Sequence, residues 1–151
     1  MITTLLLADD DPDDRMLFRD ALEEARWAVH LREVEDGVEL LDYLQRRGKY
    51  ADPADSPRPG AILLDLKMPG LGGLQALEVI KQTEGLCRIP IVVLTTSSAE
   101  EDITGAYDLG ANSYVVKPSS FSTLVEIMQS LEKYWLEVVT LPSTGAERPL
   151  K

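Results

Sequence analysis

Five carboxylates fall within six positions, Asp9, Asp10, Asp11, Asp13 and Asp14, directly after the apolar run Leu5-Leu6-Leu7-Ala8. Adjacent carboxylates repel: at about 4 Å and an effective dielectric of about 20 the cost is roughly 4 kcal/mol per pair. A buried strand that ends in such a cluster therefore calls for positive charge at its mouth. A second apolar run, Ala61-Ile62-Leu63-Leu64, also ends in a carboxylate, Asp65. Two hydrophobic strands that each deliver acid at their C-terminal ends point to a site for a hard cation.

The aspartate cluster admits three readings. Taken alone it is a solvated helix N-terminus, with Asp11 as N-cap and Pro12 at the first helical position. A calcium loop of the EF-hand type would need a central glycine and a terminal glutamate, and Asp14 and Asp20 stand there instead. A Mg²⁺ site would use one or two carboxylates, a backbone carbonyl, waters and a phosphoryl oxygen. Asp65 favours this third reading, because a carboxylate within Leu63-Leu64-Asp65-Leu66-Lys67-Met68-Pro69-Gly70 is costly unless paired or metal-bound. Kept ionised, it is a nucleophile able to form an aspartyl phosphate. Lys117, before Pro118, offers a compact positive charge for a phosphoryl oxygen, and a cis bond to that proline would aim it inward. Thr95 closes a strand, and its hydroxyl is placed to bond the same group.

The elements that must position these residues alternate along the chain. Strands are predicted over 2–8, 28–34, 61–65, 91–95 and 113–116. Helical spacing appears in Leu17, Phe18, Ala21, Leu22 and Ala25; in Val38, Leu41 and Leu44; and in Leu74, Leu77 and Ile80. It recurs in Ile103, Ala106 and Tyr107, after a Ser98/Glu101 capping box, and in Phe121, Leu124, Val125, Met128, Leu131 and Trp135. The stretch 47–60, with three prolines, reads as a surface loop. Five strands alternating with five helices imply an α/β fold, a parallel sheet covered on both faces. Right-handed crossovers bring the C-terminal strand ends to one edge, and with them Asp9, Asp10, Asp65, Thr95 and Lys117.

The chain has 151 residues and a net charge of −11, with 44% hydrophobic and 27% charged residues. That is one domain by length, and its acidity argues against nucleic acid and anionic membrane surfaces. The single Cys87 excludes an internal disulfide, and no Cys/His cluster suits zinc. With neither a leader nor a membrane-length apolar run, a cytoplasmic location is expected.

The acidic pair, the Leu-Leu-Asp-Leu-Lys-Met-Pro-Gly stretch, the Val-Leu-Thr-Thr-Ser strand end and the Lys-Pro dipeptide together resemble a response-regulator receiver domain. The resemblance covers residues 2 to about 137 and implies a flavodoxin-like, doubly wound five-stranded sheet of order 2-1-3-4-5. The domain division is then 1–137 for the receiver and 138–151 for a partly flexible extension. By resemblance Asp65 is the phosphorylated residue. Asp9, Asp10 and Asp65, with the backbone carbonyl of Lys67, hold Mg²⁺, for which Ca²⁺ or Mn²⁺ can substitute in a crystal. Thr95 and Lys117 contact the phosphoryl group, and Tyr114 matches an aromatic switch position. Gly72 departs from the family where many receivers carry aspartate, and Lys67 and Ser97 occupy variable positions that line the approach of water.

Segments 11–15, 36–44, 95–103 and 134–142 resemble one branch, the single-domain regulators partnered with phytochrome-type histidine kinases. That implies a phospho-acceptor switch rather than an enzyme, its only chemistry being self-catalysed phosphotransfer and autodephosphorylation. Trp135, Leu136, Val138, Val139 and Leu141 are apolar beyond what a core requires, and lead to the expectation of a homodimer through the fifth helix and the tail. The competing readings are an unphosphorylated pseudo-receiver adaptor and a Mg²⁺-dependent phosphatase with an aspartyl intermediate.

Overall fold

The computed structural model describes residues 3–135. Strands β1 (Thr4–Ala8), β2 (His30–Val34), β3 (Ala61–Leu64), β4 (Ile91–Thr95) and β5 (Ser113–Val116) alternate with five helices. These are α1 (Pro12–Glu24), α2 (Gly37–Gln45), α3 (Gly73–Gln82), α4 (Glu100–Asp108) and α5 (Phe121–Lys133). All four strand pairings are parallel and the order is β2-β1-β3-β4-β5. The expected doubly wound sheet is present.

Its core forms in two layers, because successive side chains of a strand face opposite sides of the sheet. Leu6, Ala8, Ile62, Leu64, Ile91 and Val93 pack with Leu40, Leu77, Ile80 and Ala106 from α2, α3 and α4. Leu5, Leu7, Ala61, Leu63, Val92 and Leu94 pack with Phe18, Ala21, Leu124 and Met128 from α1 and α5. Burial on both faces explains why the central strands read as unbroken apolar runs.

Several local expectations are corrected. Leu17, Val38 and Tyr107 fit the helical spacing but are exposed. In α2 the inward stripe runs through Gly37, Leu40 and Leu41. Ser98 does not cap α4, whose N-cap is Ala99; the Ser97 hydroxyl accepts from the Ala99 N–H and donates to Asp102. Gly72 is the N-cap of α3, and its N–H is satisfied by the Gln75 side chain rather than by a cap side chain. No cis peptide bond occurs among the described residues, so the Lys117–Pro118 bond is trans. Trp135 serves the core, its ring centroid 5.8 Å from that of Trp27. Residues 136–151, including Leu136, Val138, Val139 and Leu141, lie outside the described residues.

Close backbone approach beneath the β3 end requires glycine. A Cβ on Gly73 would lie 2.4 Å from the Asp65 carbonyl oxygen and 2.6 Å from Leu66 Cα, so α3 starts directly against the turn that follows Asp65. Gly73→Ala is expected to destabilise the fold by about 1–3 kcal/mol, the usual cost of overpacking. Urea denaturation measures it, and an unchanged midpoint would show that the turn is not constrained by this contact.

Candidate functional site

Register carries the two acids together. Ala8 pairs with Leu64, and the next N–H along β3, that of Asp65, donates to the Ala8 carbonyl. Asp9 and Asp65 thus leave neighbouring central strands side by side. Both are buried, at 0% and 5% relative exposure, whereas Asp10 is exposed. Carboxylate oxygens of Asp9, Asp10 and Asp65 lie within 4.8 Å of one another.

A single cation answers this charge. Lys117 Nζ donates to Asp65 Oδ2 at 3.0 Å, to Asp9 Oδ2 at 2.8 Å and to Asp14 Oδ2 at 2.7 Å. Its reach follows from the backbone, since the Lys117 N–H donates to the Thr95 carbonyl at 2.7 Å and carries β5 pairing one step beyond the strand. Asp14 was read only as part of the acidic cluster, and its contact with Lys117 was missed. Its position in the first turn of α1 is the pattern that could have disclosed it, because that turn starts at the same sheet edge.

The remaining bonds orient the carboxyls. Thr95, fully buried, donates its hydroxyl to Asp65 Oδ1 at 2.8 Å, and the Lys67 N–H donates to the same oxygen at 3.0 Å. The Asp11 N–H donates to Asp9 Oδ1 and the Arg15 guanidinium to the Asp9 carbonyl. Burial pushes the Asp9 carboxyl above its ordinary value, and the bonds from Lys117 and Asp11 offset this only in part. For Lys117 burial works downward, but its hydrogen bonds to Asp14, Asp9 and Asp65 outweigh it and hold the ammonium well above the usual lysine value. Three carboxylates share one ammonium, so the site remains short of positive charge.

That deficit is the test of fit for a metal. Hard oxygen donors, one of them fully buried and only partly compensated by a lysine shared with two other carboxylates, suit a divalent cation that takes carboxylate ligands. Asp9, Asp10 and Asp65 have the right chemistry and proximity. The expected switch residue sits apart: the Tyr114 hydroxyl donates to the Ser97 carbonyl at 2.8 Å, and its ring packs partly buried against the α2–α4 side of the core. Ser97 is thereby engaged on both its hydroxyl and its carbonyl, in the segment joining Thr95 to α4.

The sequence profile of the response regulator receiver domain matches residues 5–129. The chain belongs to the receiver-domain family. The chain is 40% identical over 139 residues to the response regulator Rcp1 of Synechocystis, spanning 92% of both proteins. The crystal structure of a phosphorylated cyanobacterial phytochrome response regulator, RcpA, superposes with a TM-score of 0.86 at 38% identity, over 95% of this chain and all of that one. The Mn²⁺-bound form of Rcp1 superposes with a TM-score of 0.82 at 39% identity, over 93% of this chain and 99% of that one. This receiver therefore presents an acidic edge suited to a divalent ion, and a histidine kinase is the partner its family implies.

The charge deficit has a pH signature. A carboxyl whose folded-state value is raised stabilises the fold below its unfolded value, here 3.8, and that contribution is lost as pH rises through the folded value. In divalent-free buffer, Asp9→Asn should therefore gain stability relative to wild type as pH rises above 3.8. Saturating divalent ion should abolish the gain, since it favours the ionised carboxylate. Paired denaturation curves across this range measure the difference; a pH-independent offset would contradict the account.

Proposed function

We propose that this receiver accepts a phosphoryl group on Asp65 from the phosphohistidine of a sensor kinase and uses the resulting aspartyl phosphate as a conformational switch. The observation that carries this reading is the setting of Asp65: a buried carboxylate, ordered on one oxygen by Thr95 and Lys67 and on the other by Lys117. An Asp65 oxygen attacks phosphorus as the phosphorus–nitrogen bond to the kinase histidine breaks, and the imidazole leaves with the bond's electron pair. Lys117 gives up a carboxylate contact to meet the new negative oxygens, and Thr95 turns its hydroxyl toward them. Asp9, Asp10, Asp65 and the Lys67 carbonyl are the ligands assigned to Mg²⁺, which when bound neutralises charge on the transferring group. The Mn²⁺-bound form of its relative Rcp1 supports a divalent ion in this role.

Thr95, drawn toward the phosphoryl group, pulls on the segment that ends in Ser97 and so on the acceptor of the Tyr114 hydroxyl. Tyr114 then moves inward and the α4–β5–α5 surface changes shape. Lys67 and Ser97 flank the approach of water and set the lifetime of the phosphoryl group. Transfer and hydrolysis are self-catalysed steps serving the switch, and no further enzymatic role is assigned. Kinship with Rcp1 and RcpA supports a phytochrome-type kinase as donor. The receiver comprises 1–137, works in the cytoplasm without nucleic acid or membrane, and pairs as a homodimer through α5 and 138–151. Exposed Phe121 at the start of α5 and exposed Tyr134 at its C-cap offer apolar surface for such a contact.

Acetyl phosphate with Mg²⁺ should add one phosphoryl mass to the intact protein and none to Asp65→Asn. Equal modification of both would refute the assignment, and no modification of either would leave a pseudo-receiver as the better reading. Deleting 138–151 should convert the dimer to a soluble monomer in size-exclusion chromatography. A dimer that survives the deletion would eliminate the tail as interface.

A further inference from the structure

A cavity of about 210 Å³ opens at the edge of the sheet opposite the acidic site, between the end of α2, the chain entering β3 and the turn entering β4. That is well above the roughly 10–15 Å³ a single water needs and is enough for one small organic molecule. Tyr43, Leu44, Pro59 and Leu86 give it apolar walls, and Arg46 and Arg58 supply cationic ones.

The charges here are unusual for a chain of net charge −11. Among the described residues, none of Arg46, Arg58 and Arg88 forms an ion pair. Burial, then the repulsion of Arg46 and Arg88, depresses the Arg58 guanidinium below its ordinary value. Arg46 makes only two long contacts, both of 3.4 Å, to the Ser56 carbonyl. Arg58 Nε and Gln45 Oε1 are buried and lack partners among the described residues. Buried donors and acceptors are nearly always paired in folded proteins, so two orphans beside one cavity mark bonding capacity held for something else. The C-terminal dipole of α2 supplies only about half a negative charge and leaves the excess uncancelled.

We propose that this cavity is a binding site for a small amphiphilic organic anion, whose carboxylate or phosphate pairs with Arg58 and Arg46 while its apolar body lies against Leu44, Leu86 and Pro59. Gln45 Oε1 accepts from a hydroxyl or amide on the same ligand. The site stands at the far pole from Asp65 and does not depend on phosphorylation. A small acidic metabolite would bind the receiver there without competing for the acceptor residue.

The probe is 4-hydroxybenzoate, titrated into the full-length, metal-free protein and followed by amide chemical shifts. Saturable shifts at Arg46, Gly85 and Leu86 are expected, with much weaker binding of the uncharged 4-hydroxybenzyl alcohol and of inorganic phosphate. Arg58→Met, which keeps the aliphatic stem, should weaken binding about tenfold through loss of a charge-assisted bond. Arg46→Gln, at the exposed C-cap of α2, should also weaken it and serves if Arg58→Met does not fold. Shifts confined to the Asp9–Asp65 edge, phosphate binding as tightly as the aryl acid, or unaltered binding in the folded variants would each overturn the proposal.

Discussion

One ammonium group opposes three carboxylates at the C-terminal edge of the sheet, and the arrangement of the site follows from that inequality. Lys117 contacts Asp9, Asp14 and Asp65 together, yet burial still pushes the Asp9 carboxyl upward. A surface ion pair would be worth little, but Lys117, Asp9 and Asp65 are largely withdrawn from water, where unpaired charge is expensive. The folded receiver thus holds an unmet demand for positive charge. In the proposed switch a divalent ion would supply it, and a phosphoryl group would then bring new negative oxygens to the same lysine.

The fold maintains this tension by making the site's neighbours immovable. Asp9 and Asp65 follow strands buried on both faces, so neither can retreat without opening a core layer. Gly73 lets α3 press against the Asp65 carbonyl, which closes the turn from below. The Arg15 guanidinium holds the Asp9 carbonyl, and Glu33 and Glu35 hold Arg15 in turn. The site's other neighbour is the segment from Thr95 to α4.

That segment is built of few, serial contacts. Thr95 touches Asp65, Ser97 ties to Asp102 of α4, and Tyr114 of β5 ties to Ser97. These contacts link Asp65 to Tyr114, whose ring packs at the margin of the α2–α4 core layer. The cavity at the opposite edge lies outside this chain of contacts, which makes the two poles of the sheet chemically distinct: acidic where phosphotransfer is proposed, cationic where the arginines gather.

The parallel sheet and the gathering of Asp9, Asp65, Thr95 and Lys117 were legible in the sequence, while the strand order came only from the resemblance to the receiver family. Fully buried parallel strands leave continuous apolar runs, and topology alone assembles their C-terminal ends. Helix faces were less legible: Leu17, Val38 and Tyr107 fit the helical period yet face water, because periodicity cannot say how wide a stripe the neighbouring element covers. Asp14 as partner of Lys117, Ser97 rather than Ser98 beneath α4, and the meeting of Arg46 with Arg58 were decided only in three dimensions. Each depends on the angle between elements distant in sequence, and a linear pattern of residue types records the spacing within an element but not that angle.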